Sequence, residues 1–242
     1  MVKKRNIAAI PAKIQQGLRG QRRRHLDERL TVLHQRAMMI EKELMDLDQN
    51  RFFRVCIFGS ARTKPKTPEY ESVFQLARML AWEGVDILTG GGPGLMEAAN
   101  GGAKLGQQEK NSKSLSFGLS IQLDTEPKPN KHLDINRHHQ KFSSRLDDFM
   151  RLSHAVVVTP GGVGTLLELF FSWQLVQRKH MSMRPIVLMG KEFWSGLIKW
   201  MRERPLKAGM MDAPDFDYIH VVDDHEQVLK IISKHHKQTF LR

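Results

Sequence analysis

A chain of 242 residues with 40% hydrophobic composition is long enough to bury the core of one α/β domain and still carry an extension. A single cysteine, Cys56, excludes an internal disulfide framework and cysteine-built metal clusters, and no run of about eighteen apolar residues is present to span a membrane. The formal net charge of +12 predicts attraction for anions, and residues 1–54 hold much of it, with thirteen Lys and Arg against six Asp and Glu.

The first 24 residues combine Lys3, Lys4, Arg5, Lys13, Arg19 and Arg22 to Arg24 with few large apolar side chains, and neither a long apolar stretch nor a cleavage pattern follows the first charges. A basic, solvated arm on a cytoplasmic protein is expected. Nucleic acid is the second reading of this arm, less favoured than a solubilising tail because it lacks aromatic residues for stacking on bases. Next, Leu26, Leu30, Leu33, Ala37, Ile40, Leu44 and Leu47 alternate steps of four and three, a heptad stripe that fits either a helical partner or docking on the chain's own domain.

From Arg54 onward, short β-rich runs alternate with helical stretches, the signature of a parallel sheet with crossover helices. Strands are predicted over Arg54 to Phe58, Asp86 to Thr89, Ser114 to Ile121, His154 to Thr159, Pro185 to Met189 and Tyr218 to Val222. Helices are predicted over Glu69 to Glu83, Gly94 to Leu105, Gln140 to Leu152, Thr165 to Gln177, Glu192 to Arg204 and His225 to His235. Residues 122–136 and 205–217 read as long loops, the first because of Pro127, Pro129 and Asn130. The expected organisation is a basic arm and heptad-patterned helix over residues 1–50, then a Rossmann-like α/β domain over 51–242, a parallel sheet with helices on both faces.

Three turns each lead from a strand into a helix: Gly59-Ser60-Ala61-Arg62, Gly90-Gly91-Gly92-Pro93-Gly94 and Pro160-Gly161-Gly162-Val163-Gly164-Thr165. In a parallel sheet the carboxyl ends of all strands share one edge, so these turns should converge on one crevice. Glycines there permit close approach, and the following helix offers free N–H groups and the positive end of its dipole. A phosphate is the expected ligand. Neither the dinucleotide fingerprint G-x-G-x-x-G nor a Walker motif is present, so NAD and ATP are not indicated.

Gly90-Gly91-Gly92-Pro93-Gly94-Leu95-Met96-Glu97-Ala98, with Pro160-Gly161-Gly162-Val163-Gly164-Thr165-Leu166-Leu167-Glu168, resembles the paired motifs of the Lonely Guy (LOG) phosphoribohydrolases, most closely the larger bacterial members whose first turn reads Gly-Ser-Ala-Arg. The resemblance runs from about Arg54 to the region of Trp194. It implies hydrolysis of the N-glycosidic bond of a nucleoside 5′-monophosphate to free base and ribose 5-phosphate, with no cofactor and no metal, in a homodimer or higher homo-oligomer. It implies Arg145 and Glu168 as the catalytic pair. It also implies substrate binding by Ser60, Gly91, Gly92, Gly94, Met96, Glu97, Pro160, Gly161, Gly162, Gly164 and Thr165. A carboxylate near the ribose suits an oxocarbenium-like transition state.

Two structural alternatives stand beside these roles. Thr165-x-x-Glu168 also reads as a helix capping box, and Arg145 as an i,i+3 partner of Asp148. Leu146 stands where the family has lysine directly after the arginine, which motivates a second functional reading, a nucleotide-binding or regulatory module of the same fold without catalysis. Members of the family are sometimes labelled lysine decarboxylases, but no residue context here identifies a pyridoxal phosphate lysine. The eleven histidines lack the helix-spaced partners of a metal site.

Overall fold

The computed structural model describes residues 26–38, 52–121 and 128–240, and the chain divides into two compact units, Met1–Asp48 and Gln49–Arg242. In the first unit the described segment is a helix, α1 (residues 26–38), whose Leu26, Leu30 and Leu33 follow the heptad spacing and are exposed. Ile40, Leu44 and Leu47 lie outside the described residues, as does the basic arm.

In the second unit the described strands form one parallel sheet of seven, β1 (Arg54–Phe58), β2 (Asp86–Thr89), β3 (Ser116–Ile121), β4 (Ile135–His139), β5 (Ala155–Val158), β6 (Ile186–Met189) and β7 (Ile219–Val222). The connecting helices are α2 (Pro68–Trp82), α3 (Leu95–Lys110), α4 (Phe142–Leu152), α5 (Val163–Gln177), α6 (Lys191–Met201) and α7 (His225–Phe240). Strand order is β4-β3-β2-β1-β5-β6-β7, so the chain builds outward from β1 to one edge and then returns to β1's other side at β5. That reversal opens a crevice beyond the carboxyl ends of β1 and β5, where open α/β sheets bind ligands.

The central strands read as unbroken apolar runs because helices cover both faces; every residue of β1, β5 and β6 is buried. Val55 and Ile57 pack into the core with Leu76, Ala77 and Leu80 of α2, Ala98 and Ala99 of α3, and Val228 and Ile232 of α7. On the opposite face, the Phe58 ring meets Phe149 of α4 edge-on at 4.9 Å. At the other end of the strands, buried Arg54 pairs with Asp86 at 3.1 Å, and Asp86 also accepts from the Leu115 backbone N–H at 2.8 Å, which ties β1, β2 and the entry to β3.

Two expectations are corrected. Within the stretch read as a loop over 122–136, Ile135 begins β4, an edge strand that pairs in parallel with β3 through Ile121↔His139. Its sequence, Ile-Asn-Arg-His-His, is mostly exposed and lacks the apolar alternation that marks a half-buried strand, because only one neighbour pairs with it. Within 205–217, a π-helical turn (Arg202–Leu206) containing Pro205 follows α6, and a 3₁₀ turn (Ala213–Phe216) precedes β7. The proline has no N–H to continue the α-helical pattern, and the chain widens there.

Candidate functional site

The three glycine-containing turns meet at the carboxyl edge of β1, β2 and β5. Ser60 is the staple between them: its N–H donates to Pro160 O at 3.1 Å, and its carbonyl accepts from Leu95 N at 2.9 Å. This contact demands glycine at position 94, which has φ +70° and where a Cβ would lie 2.4 Å from Ser60 O. The Ser60 hydroxyl accepts from Arg62 N at 3.0 Å and holds the first turn closed.

The turns enclose a cleft of about 530 Å³ lined by Gly59 to Arg62, Gly90, Gly92, Pro93, Met96, Arg145, Gly162 to Thr165 and Glu168. Two helix N-termini open on it without side-chain caps, α3 behind Gly94 and α5 behind Gly162. By contrast, α2 is capped by Thr67, whose hydroxyl accepts from Tyr70 N. Leu95 N of α3 is already bonded to Ser60 O, whereas the first N–H groups of α5 have no side-chain cap, and both helix ends place a partial positive charge at the cleft, which favours an anion. The glycines of the third turn divide by role. A Cβ on Gly161 would lie 2.1 Å from Thr165 Oγ1, so the turn itself requires glycine there, whereas a Cβ on Gly162 or Gly164 would meet nothing within 4 Å. Neither of those two has a positive φ. Neither a close contact nor the backbone conformation requires glycine at these two cleft-lining positions.

Glu168 lies on the first turns of α5, facing the cleft. Burial raises its carboxyl pKa to about 7, and the nearby positive charge of Arg145 pulls it back only in part. Arg145 reaches over from α4: its Nε donates to Leu119 O at 2.7 Å, and its guanidinium lies 5.2 Å from the Phe149 ring centroid. Among the described residues no ion pair joins Arg145 and Glu168; the two face a shared space. The free Cys56 thiol lies in the sheet beneath, where burial and the Glu168 charge raise its pKa.

Both structural alternatives fail on geometry. Because α5 begins at Val163 with Gly162 as its N-cap, Thr165 is the third residue of the helix, and Glu168 lies too far along to complete a capping box. Asp148 is bound to Arg151 and lies 3.4 Å from His139, while Arg145 turns to Leu119 and Phe149. Of the expected binding residues, Ser60, Gly92, Met96, Gly162, Gly164 and Thr165 line the cleft. Gly91 is buried behind it with φ +74°, Gly94 forms the α3 cap, and Pro160 lines a neighbouring cavity of about 660 Å³. Glu97 is not among the lining residues; its charge acts on Tyr70 and His132. Leu146 is 8% exposed and packs inside, so it brings no charge to the cleft.

Sequence reasoning missed the support behind the second turn. Asn130 Nδ2 donates to Gly92 O at 3.0 Å and to Asn100 Oδ1 at 2.9 Å, and Asn130 N donates to Gly91 O at 2.8 Å. Asn100, fully buried, also accepts from Thr89 Oγ1. The pairing of a proline-flanked loop residue with a helix residue thirty positions away leaves no local signal; Asn100, a buried amide in an apolar helix face, is the one readable hint.

Fold and cleft together define a parallel-sheet α/β protein with a cleft at its topological switch point, flanked by two helix N-termini without side-chain caps. A family model described as "Possible lysine decarboxylase" matches residues 96–232, more than half of the chain, and the chain belongs to that family, within the LOG superfamily. The chain is 33% identical to the pyrimidine/purine nucleotide 5′-monophosphate nucleosidase of Escherichia coli K12 over 106 residues, which is 43% of this chain and 23% of that protein. Among solved structures, the molybdenum cofactor binding protein of Rippkaea orientalis aligns with TM-score 0.55 and 20% identity over 76% of this chain and 97% of that one. The molybdenum cofactor carrier protein of Chlamydomonas reinhardtii aligns with TM-score 0.52 and 20% identity over 76% and 98%. These likenesses establish the α/β fold. The decarboxylase description implies pyridoxal phosphate, held as a Schiff base by a lysine, and no lysine lines the cleft among the described residues, so the site does not fit that group.

Proposed function

We propose that the protein hydrolyses the N-glycosidic bond of a nucleoside 5′-monophosphate, releasing free base and ribose 5-phosphate, as one of the larger bacterial members of its family. The observation that carries this reading is the placement of the Glu168 carboxyl, with a pKa of about 7, in the same cleft as the uncapped N-terminus of α5. A 5′-phosphate on the N–H groups behind Gly162 leaves the ribose about one helical turn further on, at Glu168. In its carboxylate form Glu168 stabilises positive charge developing on the sugar ring. Arg145, fixed by Leu119 O and the Phe149 ring, keeps part of the Glu168 population ionised near neutrality. Support also comes from the nucleosidase match and from the Gly-Ser-Ala-Arg turn.

Incubation with a panel of nucleoside 5′-monophosphates should release free bases. Silence across the panel with ligand binding retained would favour the second reading, a nucleotide-binding module without catalysis, for which buried Leu146 is the motivating residue.

A homodimer fits the outer face of α5. Over its fifteen residues the helix carries one charge, Glu168, which faces the cleft, while Leu167 and Phe170, which do not line it, are exposed. On a chain of net charge +12, an uncharged face is where two copies meet without like-charge repulsion. A monomer by light scattering would end this part of the proposal. The buried, unpaired Cys56 thiol agrees with a reducing, cytoplasmic setting.

A further inference from the structure

Two cations line the cleft among the described residues, Arg62 and Arg145, and they are held differently. Arg145 is committed to the wall by Leu119 O and Phe149. Arg62 is exposed at the rim, and among the described residues no carboxylate pairs with it. Its backbone, however, is fixed. Arg62 N donates to the Ser60 hydroxyl at 3.0 Å, and Ser60 is in turn bonded to both other turns, through Pro160 O and Leu95 N. The side chain therefore starts from a point anchored between the two uncapped helix N-termini, with only its outer part free to move. The position after Arg145, Leu146, is buried and contributes no charge. Among the described lining residues Glu168 is the one carboxylate, and Arg62 is the one side-chain cation not bonded to the wall and so able to meet a dianionic phosphomonoester.

We propose that Arg62 is the phosphate clamp of this site, closing over the phosphomonoester that the α5 N-terminus holds from below and so selecting nucleotides over nucleosides. The inference rests on the nucleotide reading above. Arginine suits the task because its planar fork engages two phosphate oxygens at once, which an ammonium group cannot do. Before the ligand arrives the side chain is solvated, so the clamp keeps its rotamer freedom until the charge it recognises is present.

The test is calorimetry with ribose 5-phosphate, which carries the phosphate but no base, on native protein, Arg62→Ala and Arg62→Lys. Arg62→Ala should weaken binding about 10- to 100-fold, the worth of a lost charge-assisted hydrogen-bond pair, and Arg62→Lys should recover part of it. Steady-state kinetics on a nucleoside 5′-monophosphate should show KM rising while kcat stays within a few-fold. Affinity of Arg62→Ala within twofold of native overturns the clamp, and so does a collapse of kcat at unchanged KM, which would place Arg62 at the reacting bond. Since Arg62 is exposed, an unchanged thermal midpoint separates these outcomes from misfolding. If the clamp effect on ribose 5-phosphate appears but no nucleotide is turned over, Arg62 keeps its role and the catalytic reading fails. If turnover persists and the effect is absent, the reverse holds. Native protein that fails to bind ribose 5-phosphate overturns the clamp, while release of free base from the nucleotide decides the catalytic reading by itself.

Discussion

Replacing Glu168 by glutamine should make the folded protein more stable at alkaline pH and leave it nearly unchanged at pH 4. Burial moves the carboxyl pKa from 4.5 to about 7, so the folded state binds this proton more tightly than the unfolded chain does. The stabilising contribution of a group with a raised pKa is fully present below the unfolded value and is lost as pH rises through the folded value. Across the window from 4.5 to about 7, the shift corresponds to about 2–3 kcal/mol once water in the open cleft is allowed for. Glutamine, neutral throughout, carries no such dependence. Urea unfolding of both proteins at pH 4.5 and pH 8.5 measures the difference; the variant should match the native protein at the lower pH and exceed it at the higher. Native protein at least as stable as Glu168→Gln at pH 8.5 would refute the reasoning, because it would mean the carboxylate is well solvated or fully compensated by Arg145. The same titration predicts that turnover by native protein rises with pH through about 7, as the carboxylate form fills.

Other consequences separate fold from function. Gly164→Ala should stabilise the first turn of α5 by about 0.5–1 kcal/mol while weakening ribose 5-phosphate binding, since its Cβ would meet nothing within 4 Å at a position that lines the cleft. Gly161→Ala should instead lower the thermal midpoint, because its Cβ would collide with Thr165 Oγ1 at 2.1 Å. His154, at the opposite end of the sheet, accepts from Arg54 N at 3.1 Å, and burial, with Arg184 and Arg54 nearby, lowers its pKa to about 4. Its neutral form is favoured by the fold, so its contribution is present above 6.5 and lost as pH falls through about 4; His154→Gln should flatten that acid limb of unfolding.

The readable parts of this fold are those where one physical demand dominates a short stretch. Val55 to Phe58 and Ala155 to Val158 are continuous apolar runs because both faces of each strand are covered, and in the turns after them Gly59 and Gly161 stand out because a Cβ there would collide with Thr159 and Thr165. The edge strand Ile135–His139 was hidden because one-sided pairing asks little of its side chains. The convergence of Glu168 and Arg145 on one cleft was legible through their motifs, while their capping-box and i,i+3 alternatives fail on detail that sequence does not carry, the start of α5 two residues earlier than its threonine and the engagement of Asp148 by Arg151 and His139. Arg62 was visible in the Gly-Ser-Ala-Arg turn, but its significance depends on Arg145 being committed elsewhere and Leu146 being buried.

The central claim is that the cleft breaks the bond between base and ribose while leaving the phosphate ester intact. Phosphorus NMR of the protein with a mixture of nucleoside 5′-monophosphates tests it directly, since ribose 5-phosphate, nucleotide and inorganic phosphate are resolved in one time course. Nucleotide signals should decline as ribose 5-phosphate grows, without inorganic phosphate, and the decline should vanish in Glu168→Gln. Growth of inorganic phosphate, or a spectrum unchanged over time in the native protein, would contradict the account.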